Sequence, residues 1–117
     1  MFNINKCEKI RLPQGAIYLG PSDEKKSVGY LELNPHTSLT LHTRPAVEKL
    51  IQVNGKCNML VYKKEQGETF ILNERDTLVI EPAGTYHIHV NPYDKISLTY
   101  WDFDGDIRGI IKEIRKE

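Results

Sequence analysis

Residues 82–91 read Pro82-Ala83-Gly84-Thr85-Tyr86-His87-Ile88-His89-Val90-Asn91, and this stretch decides the fold. Proline presets φ and glycine frees it, so Pro82-Ala83-Gly84 is a tight turn that aims the segment after it. That segment alternates without a break. Side chains on a strand point to opposite faces in turn, which puts Thr85, His87, His89 and Asn91 on one side and Tyr86, Ile88 and Val90 on the other.

The same period of two extends outward in both directions. It predicts strands over residues 16–19, 28–33, 38–44, 48–53, 56–62, 69–72, 77–81, 85–90 and 95–103. Further turns are expected at Pro21-Ser22-Asp23, Asn34-Pro35, Pro45-Ala46, Asn54-Gly55, Gln66-Gly67 and Asn91-Pro92. Asn54-Gly55 is the strongest hairpin signal, because both residues tolerate the positive φ of a type I′ turn. So many short strands in a small chain must close into a barrel or sandwich to hide their edges. Only the C-terminal end changes period. Ile107, Ile110, Ile111 and Ile114 recur at helical spacing after Asp104-Gly105-Asp106, which can cap a helix start. The expected organisation is one all-β domain, with a barrel over about residues 27–104 and a C-terminal helix over about 106–116.

Composition narrows the partners. Sixteen Lys plus Arg balance sixteen Asp plus Glu, which argues against nucleic acid or an anionic membrane as a ligand. At 39% hydrophobic and 27% charged the chain is globular, and its 117 residues can bury a core without disulfide staples. The first twelve residues carry Lys6, Glu8, Lys9 and Arg11, so they hold no secretory leader, and no apolar run is long enough for a membrane span. A cytoplasmic protein is expected, with Cys7 and Cys57 as unpaired structural thiols.

Three strands collect chemically capable side chains on one face. Besides His87 and His89, residues 38–44 place His42 and Arg44 opposite Leu39 and Leu41, and residues 48–53 place Glu48 and Gln52 opposite Lys49, Ile51 and Val53. These faces either meet water or turn inward around a ligand cavity, with the aliphatic faces packed on a second sheet or a partner subunit. A three-residue loop Pro45-Ala46-Val47 would set Arg44 across from Glu48, with Cβ atoms roughly 5 Å apart.

At these residues the chain resembles the cupin family, whose first motif is Gly, five residues, His-x-His, three or four residues, Glu, six residues, Gly. Here His42, Arg44, Glu48 and Gly55 stand at the matching intervals, with His36 at the first glycine position. The second motif, Gly, five residues, Pro-x-Gly, two residues, His, three residues, Asn, is met by Pro82, Gly84, His87 and Asn91, with Asp76 at its leading glycine. The resemblance implies a small double-stranded β-helix, a jelly-roll barrel. It also implies that His42, Glu48 and His87 hold one divalent transition metal, for which Fe, Mn, Ni and Zn are candidates.

Arg44 replaces the second histidine and cannot ligate, because a guanidinium stays protonated. At roughly 5 Å from a dication, with an effective dielectric of about 20, it would repel by about 6 kcal/mol. Either it swings toward the barrel mouth and leaves the ion three ligands, or it displaces the ion by neutralising Glu48. Arg44, Gln52 and His89 are the candidate ligand-binding residues, with His89 on the His87 face as lining, donor or substitute ligand. Three functions stay open: a metal-dependent enzyme acting on a small molecule, a metal-free pocket that holds a sugar or small anion through Arg44, and a homodimeric scaffold whose pocket is vestigial.

Overall fold

The period of two folds as strand in most of the segments that show it, and the described residues hold ten strands in all. The computed structural model describes residues 1–82 and 84–116. After a 3₁₀ turn at Ile4–Lys6 come β1 (Glu8–Leu12), β2 (Gly15–Ser22), β3 (Lys26–Leu33), β4 (Thr37–Ser38), β5 (Val47–Asn54), β6 (Cys57–Lys63), β7 (Gln66–Leu72), β8 (Thr77–Ile80), β9 (Thr85–Asn91) and β10 (Ser97–Asp104), then helix α1 (Arg108–Lys116). They form a six-stranded sheet in the order β1-β2-β3-β10-β5-β8 and a four-stranded sheet in the order β4-β9-β6-β7. Face to face, the two make the expected jelly-roll barrel, closed at one end by α1.

Each sheet turns one set of alternating side chains inward. Leu33, Leu50, Cys57 and Met59 lose essentially all contact with solvent in the core between the sheets. Trp101 and Phe103 join them, while their neighbour Tyr100 faces the other way and packs edge-on against Tyr30. The Trp101 ring requires Gly29 on the adjacent strand, where a Cβ would lie 2.3 Å from its ring carbons. On the outer face of the large sheet, Phe2 and Ile4 fold over Val28, Tyr30 and Tyr100. Among the described residues no helix is long and apolar enough to cross a membrane.

The C-terminal helix forms where its isoleucine spacing predicts. Asp106 accepts from the Arg108 N–H, which caps the first turn, and its carboxyl is held down to about 2 mainly by the Arg108 side chain. Ile107 and Ile111 are buried, Ile110 and Ile114 are half-buried against the barrel, and Arg115 reaches Glu8 of β1 at 2.8 Å.

Two connections differ from the sequence-based expectation, for one reason. Asn54-Gly55 does turn, with Gly55 at φ +67°, where a Cβ would sit 2.5 Å from the Ile96 carbonyl oxygen. It joins β5 of the large sheet to β6 of the small one, so it makes no hairpin. Likewise Pro45-Ala46-Val47 crosses between sheets, and Arg44 does not lie across from Glu48. Glu48 is instead opposite Phe103 of β10 and Ile80 of β8. Turn chemistry is local, whereas the choice of partner strand belongs to the closed barrel.

Residues 38–44 also fall short of a continuous strand. Pairing with β9 is regular only at Thr37–Ser38 and resumes as a single bridge between His42 and His87. Pro45, which has no N–H to donate, ends this edge. The expected alternation fails with it: Leu39 packs onto the core while Leu41 stands 52% exposed. Strand β1 had no counterpart in the pattern, because Glu8, Lys9 and Arg11 leave only Ile10 and Leu12 to half-bury. In the Pro82-Ala83-Gly84 turn Ala83 lies outside the described residues, and Gly84 has φ +67°.

Candidate functional site

Strand β9 brings His87 and His89 into the barrel on one face, at 1% and 3% exposure. The edge segment adds His42 through two backbone hydrogen bonds with His87: His42 N–H donates at 3.0 Å and its carbonyl accepts at 2.8 Å. Leu39 N–H donates to the His89 carbonyl one step along. Three imidazoles therefore meet at one end of the barrel. Ring centroids lie 4.1 Å apart for His42 and His87, 5.2 Å for His87 and His89, and 5.6 Å for His42 and His89. Their ligand nitrogens all fall within 4.8 Å of one another.

Glu48 reaches the same place from β5. Its carboxylate is 4% exposed, and Oε1 lies 3.0 Å from His87 Nε2. The two atoms are close but not aligned for a hydrogen bond. Among the described residues Glu48 Oε1, both ring nitrogens of His87 and Nδ1 of His89 are buried with no hydrogen-bond partner. Such groups cost about 1–3 kcal/mol each when left unpaired, so their concentration at this end of the barrel marks it as the place where a ligand could bind.

The histidines are in the right state to bind one. Burial is the main force holding His42 down, at about 3, with repulsion from His87 and Arg44 adding to it; burial likewise holds His89 well below its ordinary value. Both are therefore neutral at pH 7 and offer lone pairs. His42 Nδ1 lies 2.9 Å from the Thr40 carbonyl oxygen, which can only accept, so Nδ1 carries the proton and Nε2 is free.

Arg44 stands beside this cluster without sealing it. Its NH1 donates to its own neighbour's carbonyl, Thr43 O, at 3.2 Å, and no ion pair with Glu48 forms within 4.0 Å. Burial lowers the Arg44 pKa while Glu48 and Glu113 act to raise it. Gln52 is not brought to the site. Its amide donates to Asn54 O and Ser97 Oγ and accepts from Thr99 Oγ1 at 2.6 Å, deep between β5 and β10.

The remaining motif positions have mechanical reasons. Asn91 donates from Nδ2 toward Leu33 O, Asn34 O and Lys95 O, tying three chain segments together at the other end of the barrel. His36 has φ +58°, a conformation that suits glycine, and its exposed ring reaches Asp94 rather than the cavity. At the second motif's leading position Asp76 accepts from Asn73 N–H, and the positive φ of +77° falls on Arg75 instead.

A small cavity of about 50 Å³ opens on the cluster. His42, Arg44, Glu48 and His89 form its polar wall, and Trp101, Phe103 and the isoleucines of α1 are among its apolar ones.

No protein-family model and no curated protein matches the sequence. Solved structures do. The cupin domain of Drosophila melanogaster CENP-C is 20% identical over 83% of this chain and 74% of that one, with a TM-score of 0.73, and CENP-C has also been solved bound to CAL1. Lactobacillus farciminis oxalate decarboxylase, in a formate complex, is 22% identical over 91% of this chain and 33% of its own, with a TM-score of 0.77. Bacillus subtilis oxalate decarboxylase, studied for its Mn(II) centres, is 21% identical over 88% of this chain and 29% of its own, with a TM-score of 0.78. The chain thus spans about a third of each decarboxylase. These likenesses establish the cupin fold.

Proposed function

We propose that this cupin-fold protein is a metal-dependent enzyme acting on a small molecule, with one divalent transition metal held by His42, His87 and His89 and with Glu48 beside it. The observation that carries this reading is the set of unpartnered buried atoms on Glu48, His87 and His89. Metal–nitrogen bonds of about 2.1 Å in a tetrahedral set would put the ligand nitrogens about 3.4 Å from one another. A cluster spread within 4.8 Å would close on an ion by side-chain shifts of roughly 1 Å. His89 takes the place that Arg44 cannot fill. The Mn(II) centres of the Bacillus decarboxylase make manganese a natural first candidate.

Held by His42, His87 and His89, a dication would supply an electrophilic centre for an oxygen of the substrate. The chain's own groups do the rest. Thr40 O fixes the His42 ring, and Glu48 offers a carboxylate oxygen that can take a proton within the cavity. Arg44 can hold an anionic group of the substrate, and the apolar walls exclude water. The half-buried row Ile51, Val53 and Leu98 on the outer face of the large sheet supports a second copy of the chain as its cover, which sizing chromatography would register as a dimer.

The test is metal content of protein purified without a histidine tag, followed by titration of the stripped protein with Mn(II), Fe(II) and Zn(II). About one ion per chain is expected. No stoichiometric metal and no binding on titration would overturn the reading in favour of a metal-free pocket.

A further inference from the structure

The cavity continues outward rather than ending at the histidines. Ile17, Leu39, His42, Arg44, Ile110 and Ile114 line both the inner chamber and an open groove that runs past Leu12, Pro13 and Glu113 to the surface. Arg44 therefore stands at the neck between the two. Nine of the thirteen side chains around the inner chamber are apolar, and the neck itself is made of aliphatic side chains from β2, the edge segment and α1. The charges are few. The Arg44 guanidinium stands between Glu48 inside and Glu113 at the rim.

We propose that the ligand of this site is a small aliphatic monocarboxylate, its carboxylate on Arg44 and its hydrocarbon chain running between Ile17 and Leu39 on one side and Ile110 and Ile114 of α1 on the other. This deepens the proposed function by naming the ligand class of the same cavity, and it stands on Arg44 and the apolar neck whether or not the histidines hold a metal. Four of the guanidinium's five N–H donors are uncommitted among the described residues, and a planar carboxylate matches that fork. A chamber of about 50 Å³ holds only a few heavy atoms, so a longer chain must lie in the neck, where wall and ligand are both apolar. In the metal-free chamber a second carboxylate, as in oxalate, would meet Glu48 and apolar walls, which is why a monocarboxylate is selected there.

The test is calorimetric titration of the Zn(II)-loaded and the metal-free protein with acetate, butanoate, hexanoate, oxalate and inorganic phosphate. Affinity is expected to rise about threefold to fourfold per methylene from acetate to hexanoate. Arg44→Gln should weaken every carboxylate at least tenfold, with Arg44→Lys in between. Ile114→Ala, at a half-buried position, should flatten the chain-length series, with the melting transition of the variant read alongside. On the metal-free protein, oxalate or phosphate binding tighter than hexanoate, a flat series in the parent protein, or Arg44→Gln binding like the parent would overturn the proposal. Failure of Zn(II) to load would strike the metal reading alone, since the series and the Arg44 effect are read on the metal-free protein as well.

Discussion

The barrel contains two buried polar clusters, one at each end, built from the same inward-facing register. At one end Gln52, Ser97, Thr99 and Asn91 satisfy one another and the backbone: Gln52 spends its amide on Asn54, Ser97 and Thr99, and Asn91 spends its own on three carbonyls and the Tyr93 N–H. At the other end Glu48, His87 and His89 keep buried atoms with nothing to bond. Burial alone does not distinguish the two, as both lie almost wholly out of solvent. Hydrogen-bond satisfaction does. A network that closes on itself holds the fold together, and one that stays open marks where something else must enter.

Metal affinity breaks that comparison most sharply. Replacing His87, as His87→Gln, should lower Zn(II) or Mn(II) affinity at least a thousandfold, or about 4 kcal/mol, read by competition with a chelator. The same substitution logic at the closed end should leave metal binding alone and strike stability. Asn91→Ala should cost about 3 kcal/mol in urea unfolding, since buried carbonyls lose their donors.

The pH dependence separates the ends again. His42 and His89 have native pKa values below their unfolded value of 6.5, so the unfolded chain binds more protons as pH falls. The metal-free protein should therefore lose stability from about pH 6.5 downward, progressively toward pH 3. Urea midpoints at pH 7, 5.5 and 4.5 would check this, and His42→Gln should shallow the slope. The smallest effect is expected at Arg44: Arg44→Gln should change the stability of the metal-free protein by no more than about 0.5 kcal/mol, because its one bond is to an adjacent carbonyl.

How much of this was legible in the sequence obeys the same division between local and closed-barrel information. The shared face of His87 and His89 needed only the period of β9, and Gln52 joins Glu48 on the inner face of β5 by the same rule. What Gln52 would find there was not legible, since Ser97 and Thr99 arrive from a strand far along the chain. The Arg44 to Glu48 pairing failed because adjacency in sequence does not select a sheet, and Glu48 ends up beside His87 instead. The bridge that delivers His42 to His87 depends on an edge segment too irregular for any periodicity to describe. The His36 backbone is a partial exception. Its place at a motif glycine is matched by a positive φ of +58°, which the period of two does not report.

The most direct measurement of the central claim is histidine ring ¹⁵N NMR of the stripped protein during titration with Zn(II), with exposed His36 as an internal control. The rings of His42, His87 and His89 should shift together and saturate at one equivalent while His36 stays put. Movement of His36 alone, or three buried rings indifferent to the ion, would contradict the account.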